Sequence, residues 1–202
     1  SVNSVTDEVA SALQLQTTRG AMVHGVFIGS PAHEAGLLPG DFITAIADRP
    51  IRNADDLVLV VGDQRVGTDV EFAILRNGQQ RSLTVRIGLR EAEETVRQLY
   101  RRLWPGMAVY PITPEVRAEI TIDTEDGVIA EVDAGMRGTP AELAGLRTYD
   151  IITTVNGEPV TDLHAFYEAI NTGGTATFEI ELIRDGQPLI VSLARPERTT
   201  GE

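Results

Sequence analysis

Apolar and polar positions along this chain fall into short blocks. Runs rich in Val, Ile and Phe, bounded by Gly, Asp or Asn, predict strands over 20–27, 42–46, 70–75 and 82–87, and again over 127–132, 151–155, 177–183 and 189–193. Residues 6–13 and 113–120 each predict a short helix, opening at a Thr that is followed by acidic residues or by proline. Longer helices are predicted at 54–61 and 162–170, where Leu57 with Val61, and Phe166 with Ile170, stand four apart on one face. A Pro-Ala-x-x-Ala-Gly-Leu segment at 31–37 and at 140–146 predicts one helical turn closed by glycine. Asn77-Gly78, Asp185-Gly186 and Asn156-Gly157 mark two-residue hairpins. Where the second half has Asn156-Gly157 the first is read as Asp48-Arg49, which predicts a different turn.

These elements recur in the same order because the chain is a repeat. Thr6-Asp7-Glu8-Val9 returns as Thr113-Pro114-Glu115-Val116 at an offset of 107. Ser30-Pro31-Ala32-His33-Glu34-Ala35-Gly36-Leu37 returns as Thr139-Pro140-Ala141-Glu142-Leu143-Ala144-Gly145-Leu146 at 109, and Arg76-Asn77-Gly78-Gln79 as Arg184-Asp185-Gly186-Gln187 at 108. Slips of only one or two residues over such a length mean two copies of one domain. The expected fold is mainly β with short helices (α+β), its strands mostly antiparallel. The first domain is expected over 1–89 and the second over 104–197. Between them, residues 90–103 place Val96, Leu99 and Leu103 at helical intervals, with acidic residues leading and basic ones trailing, which predicts a linker helix.

Charge narrows the partners. A formal net charge of -13 argues against nucleic acid, whose binding draws on clustered Lys and Arg. No apolar run approaches the roughly 18 to 20 residues of a membrane span, and no leader pattern opens the sequence, so membrane insertion is not expected. The chain is read either as cytosolic or as an internal piece of an exported protein. Disorder is expected only at the ends, for example over 198–202. The absence of cysteine removes disulfides, thiol nucleophiles and thiolate metal sites together.

No catalytic residue is identified. The three histidines, His24, His33 and His164, align with Glu131, Glu142 and Asp55 in the other copy and read as solvated surface. Gly29-Ser30-Pro31 is the nearest approach to a nucleophile elbow, yet Thr139 fills the same slot before a helical turn. Metal ligands do not converge, and neither a phosphate loop nor a dinucleotide fingerprint occurs, so no metal and no cofactor is expected.

The pattern from Gly20 to Ile43, with its Gly-Ser-Pro-Ala-x-x-Ala-Gly-Leu-x-x-Gly-Asp-x-Ile core, followed by a hairpin, a helix and an Arg-x-Gly closing hairpin, resembles a PDZ domain of the bacterial type. Two in tandem, each preceded by a Thr-x-Glu-Val segment, resemble the C-terminal half of an HtrA serine protease of the Do/DegQ kind. The resemblance implies two PDZ-like domains, each a partly open β-barrel or sandwich, without the protease domain or its Gly-Asn-Ser-Gly-Gly motif. It implies a periplasmic or cell-envelope location, and binding of a partner's C-terminal tail as an added strand between an edge strand and the long helix.

On that resemblance the carboxylate of a ligand sits against a loop that in the second copy is Trp104-Pro105-Gly106-Met107, with Arg101 and Arg102 just upstream. Pro105 has no N–H to donate, which leaves Gly106 and Met107 as donors. The other reading is that Trp104 and Pro105 fasten the linker helix to the second domain. Groove walls are expected from Val109, Phe166 and Ile170 in the second copy and from Val2, Leu57 and Val61 in the first. The first copy's counterpart of Trp104–Met107 falls before Ser1, as in a segment beginning at a protease–PDZ junction.

The function implied is that of a non-catalytic module binding apolar C-termini or unfolded polypeptides, with an HtrA-type protease domain in cis and a homo-oligomer in the parent protein. Two alternatives stand beside it. One is a structural bridge between domains or subunits of a protease cage; the other is the PDZ tandem of an intramembrane metalloprotease.

Overall fold

The computed structural model describes residues 1–119, 122, 124, 126–172 and 175–197. The predicted helix end at Ile120 and the disorder expected over 198–202 lie outside the described residues. The chain divides into two compact units, Ser1–Leu99 and Tyr100–Glu197.

In the first unit, an antiparallel sheet runs Val2–Ser4, Ala21–Val23, Phe42–Ile46, Asp69–Arg76, Gln79–Arg86 in spatial order, and Arg49–Pro50 pairs back on Phe42–Ile46. Spatial order equals chain order, so the first strand, Val2–Ser4, is an edge. The second unit repeats the arrangement with Ala108–Pro111, Val128–Glu131, Ile151–Val155, Thr177–Arg184 and Gln187–Ala194, and Glu158–Pro159 pairs on Ile151–Val155. The fold is mainly β with short helices, as the periodicity predicts, and neither sheet closes into a barrel. The strand expected over 20–27 joins the sheet only over Ala21–Val23.

Outside the linker, each helix starts where a short polar side chain satisfies an orphan amide. Thr6 accepts from Val9 N before Asp7–Ala12, and Thr113 from Val116 N before Pro114–Glu119. Ser30 and Thr139 do the same for Pro31–Glu34 and Pro140–Leu143, which explains why either residue fills that slot. Asn53 and Asp162 cap the longer helices Ala54–Gly62 and Leu163–Asn171. The linker helix is shorter than its pattern suggested: Glu93–Leu99, then a tight turn Tyr100–Arg102, leaving Leu103 beyond it.

Two features recur in both units although no sequence rule announced them. The ladder slips between Ile43 and Ala45, and again between Ile152 and Thr154, where an extra Thr is accommodated as a bulge. The hydroxyls of those residues, Thr44 and Thr153, donate to Ala73 O and Glu181 O. Gly20 and Gly127 both have positive φ and press on the next strand. A Cβ on Gly20 would lie 2.4 Å from Phe42 Cζ and 2.7 Å from Ile43 O, and one on Gly127 would lie 2.9 Å from Ile152 O.

Two expectations are corrected. The hairpin after Phe42–Ile46 turns at Ala47-Asp48, with φ of 47° and 62°, just as Asn156-Gly157 turns with 52° and 80°. Ala47 N and Asn156 N both donate to the neighbouring strand on the other side, to Glu71 O and Glu179 O. The turn is therefore the same type without its usual residues, because the flanking ladders hold it. His24 is not solvated surface: it is 4% exposed, and burial pushes its imidazole down to about 4. Its partner Glu131 is exposed, so alignment between copies did not transfer environment here.

Candidate functional site: a cavity beside an edge strand

The core of the first unit gathers Ala21, Val23, Ile43, Leu57, Val60, Phe72, Ile74 and Val85, with Val2 and Val61 half-buried against it. The side chains of Leu57 and Val61 point down onto the sheet because they lie four apart on Ala54–Gly62. The strand Val2–Ser4 runs beside this helix, and Ser4 Oγ accepts a 3.2 Å hydrogen bond from Ala54 N.

A cavity of about 320 Å³ opens here, and all three groove residues expected from the first copy, Val2, Leu57 and Val61, line it. Its volume is at the lower end of ligand pockets, which run from about 300 to 1,000 Å³. The deeper wall is made of Val23, Val26, Ile43, Phe72, Val85 and Ile87. Sequence reasoning missed these residues. Strand alternation marks Val85 and Ile87 as inward-facing, but only the packing shows that this inward face borders an opening. Arg86 is the one charged residue of the lining, and it pairs with Asp69 at 3.6 Å. A broader cleft of about 710 Å³ shares Pro31, Arg86, Ile87 and Gly88 with it, and is rimmed by Glu34 and Asp69.

At the start of the helix, Asp56 accepts from Arg52 Nε at 3.1 Å, Arg52 Nη2 at 3.0 Å and Arg52 N at 3.0 Å. These bonds hold its carboxyl down at about 2.

The second unit treats the matching residues differently. Val109 is 1% exposed, and Phe166 and Ile170 are 0% exposed. Trp104 and Met107 are likewise buried, with the Trp104 and Phe178 ring centroids 5.1 Å apart. The Arg195 guanidinium lies 4.8 Å over the Trp104 ring and donates to Ile170 O at the end of the long helix. The Trp104–Pro105 peptide is cis. Gly106 has a φ of 86°, and a Cβ there would lie 2.7 Å from Thr139 Cβ and 3.0 Å from Pro140 Cδ. The loop Trp104-Pro105-Gly106-Met107 is thus packed down onto its own domain. The six residues expected to form a second site are brought together as interior. Of the two flanking arginines, Arg101 is exposed and Arg102 half-buried.

Among the described residues no group of three or more His, Cys, Asp or Glu is placed to hold a metal ion. Within the same set no helix is long and apolar enough to cross a membrane.

The sequence matches the PDZ domain family twice, over residues 4–87 and 131–184. A probable periplasmic serine endoprotease, DegP-like, from Marinomonas sp. (strain MWYL1) is 28% identical over 195 residues, 94% of this chain and 40% of that protein. Its counterpart from Pseudomonas fulva (strain 12-X) is 28% identical over 208 residues, 97% of this chain and 42% of the relative. The chain therefore spans about two fifths of the length of these curated relatives. Among solved structures, the HtrA-type protease AlgW in a variant form with a decapeptide is 36% identical. That match covers 46% of this chain and 28% of the other, with a TM-score of 0.44.

Proposed function

From a chain that belongs to the PDZ domain family, and carries that domain twice, we propose a peptide-recognition module that takes an extended segment with an apolar end into its first copy. The cavity beside the edge strand Val2–Ser4 carries this reading. An edge strand offers unpaired backbone groups to an incoming strand, and an adjacent apolar cavity takes one of its side chains. Burying that side chain contributes about 1.5 to 3 kcal/mol. With a short ladder of backbone bonds added, affinity settles near micromolar, about -8 kcal/mol. Arg86 at the rim supplies a positive charge toward a terminal carboxylate.

In the parent protein the module delivers unfolded polypeptides to a serine endopeptidase domain of the HtrA type, in the periplasm. The names of the DegP-like relatives, and the fact that this chain spans only part of them, support that context. The second copy is assigned a structural role, favoured by the burial of Val109, Phe166 and Ile170. Titration of the chain with fluorescent peptides ending in leucine tests the reading, with Val61→Asp as the control. Saturable binding lost in the variant supports it, and no binding by the parent chain removes it.

A further inference from the structure

The last long strand of each unit is followed by the same backbone contact but a different side chain. Ile87 N donates to Thr68 O at 2.8 Å, and Arg195 N donates to Ala176 O at 2.8 Å, so Arg195 stands at the position of Ile87. In the first copy Ile87 lines the cavity from the strand end and Val61 lines it from the helix Ala54–Gly62. In the second copy Ile170 holds the place of Val61 on the helix Leu163–Asn171, and the Arg195 side chain spans the interval, its Nη2 donating to Ile170 O at 2.6 Å. On the way its guanidinium lies 4.8 Å from the Trp104 ring centroid and 5.3 Å from that of Phe178, close enough for both ring faces to hold a cation. Arg195 Nε and Trp104 Nε1 are shielded from solvent and have no hydrogen-bond partner among the described residues. Burial pushes the guanidinium down from its ordinary range, and no neighbouring carboxylate offsets this. A side chain normally kept at the surface thus serves here as packing.

We propose that Arg195 is an internal stopper that shuts the groove of the second copy, so that the tandem offers one peptide site and not two. This rests on the peptide-recognition reading of the first copy. Isoleucine branches at Cβ and ends close to its own strand, which leaves the far side of the interval open at Ile87. Arginine is long and unbranched, and at 195 it reaches across to the helix end. An apolar side chain entering the second groove must first displace the guanidinium from two rings and from Ile170 O. Removing that one side chain uncovers walls that already exist, Val109, Phe166 and Ile170.

Trp104 is the only tryptophan of the chain and touches the stopper, so its emission reports on this site. The full chain carrying Val61→Asp, which removes the first site, is titrated with a tryptophan-free decapeptide ending in leucine. With Arg195 in place, Trp104 emission is expected to stay unchanged. Adding Arg195→Ile, the residue of the first copy, is expected to give a saturable Trp104 response, with affinity within about tenfold of the first copy's. A saturable response with Arg195 in place overturns the inference, as does a folded Arg195→Ile chain that gives none. Arg195→Ala repeats the test with less bulk. Loss of the second domain's fold in both variants also overturns the inference, since Arg195 is then part of the core and not a stopper. The recognition reading is judged separately, by anisotropy of the fluorescein-labelled peptide with the parent chain, where absence of binding strikes that reading.

Discussion

Arg76 and Asp41 stand 35 residues apart, yet Nε and Nη2 of the one donate to the two carboxylate oxygens of the other at 2.6 Å each. Nη2 also donates to Gly36 O at 2.7 Å, and Asp41 Oδ2 accepts from Leu38 N at 2.8 Å. Arg184 repeats the arrangement with Asp150 and Gly145 O. The Ala-Gly-Leu, Gly-Asp and Arg-x-Gly landmarks of the first repeat are therefore parts of one fork-shaped clamp, joining the turn after the short helix to the penultimate strand.

Because Asp41 is fully buried, its carboxylate depends on this fork for solvation. Arg76→Met is expected to destabilise the first domain by about 3 to 5 kcal/mol, since it leaves a buried charge unpaired. Urea unfolding measures the loss. The double variant with Asp41→Leu is expected to recover much of it, because desolvation of the carboxylate disappears with the partner.

Gly20→Ala is expected to cost about 1 to 3 kcal/mol by overpacking. The added methyl meets both the Phe42 ring and the carbonyl of Ile43, and the backbone cannot retreat without breaking the Ala21–Ile43 pairing. The same change at Gly62, where nothing lies within 4 Å, is expected to be neutral or stabilising. Thermal melts of the two variants separate the cases.

The hairpin at Ala47-Asp48 holds two residues in the left-handed region without glycine or asparagine at either. Such a conformation costs about 1 to 2 kcal/mol per ordinary residue. Grafting the second copy's turn, Ala47→Asn with Asp48→Gly, is expected to stabilise the first domain by about 1 kcal/mol. A higher urea midpoint at unchanged slope is the signature.

His24 predicts a pH dependence. Its imidazole titrates near 6.5 when unfolded and at about 4 when folded, so between those values the unfolded chain binds more protons. The contribution of His24 is therefore expected to be complete above about pH 6.5, to fall as the pH drops towards about 4, and to change no further below that. Asp56 acts lower down: its contribution is complete above 3.8 and is lost as the pH falls to about 2. Chemical unfolding across this range checks both windows. His24→Gln is expected to flatten the upper one while leaving the lower in place.

Much of the fold was legible because local signals agreed with each other. Thr6, Ser30, Asn53 and their counterparts cap helices where a polar oxygen precedes a helical pattern, and such caps depend only on neighbours within a turn. Leu57 and Val61 announced a helix face by spacing alone. The Ala47-Asp48 turn was misplaced because ladder register, not turn chemistry, holds it there. His24 was misjudged because burial is a property of what surrounds a residue. The clamp, the threonine bulges and the Ser4–Ala54 tie went unseen since each joins segments 28 to 50 residues apart.

The sequence by itself determined that this protein is one β-rich domain written twice, since a repeated pattern of strands, caps and turns needs no coordinates to be recognised. Helix periodicity put Leu57 and Val61 on one face, and the resemblance to a PDZ domain set Val2 beside them. Only the tertiary structure decided that Val2 and Val61 stay half-buried beside a cavity while Val109 and Ile170, at the same positions of the other copy, are buried. Periodicity tells which way a side chain faces, whereas the space before it depends on the bulk of every residue packed around it, as where the first copy has Leu57 and the second has Phe166. That difference is a matter of volume, and volume is settled only when the chain has folded.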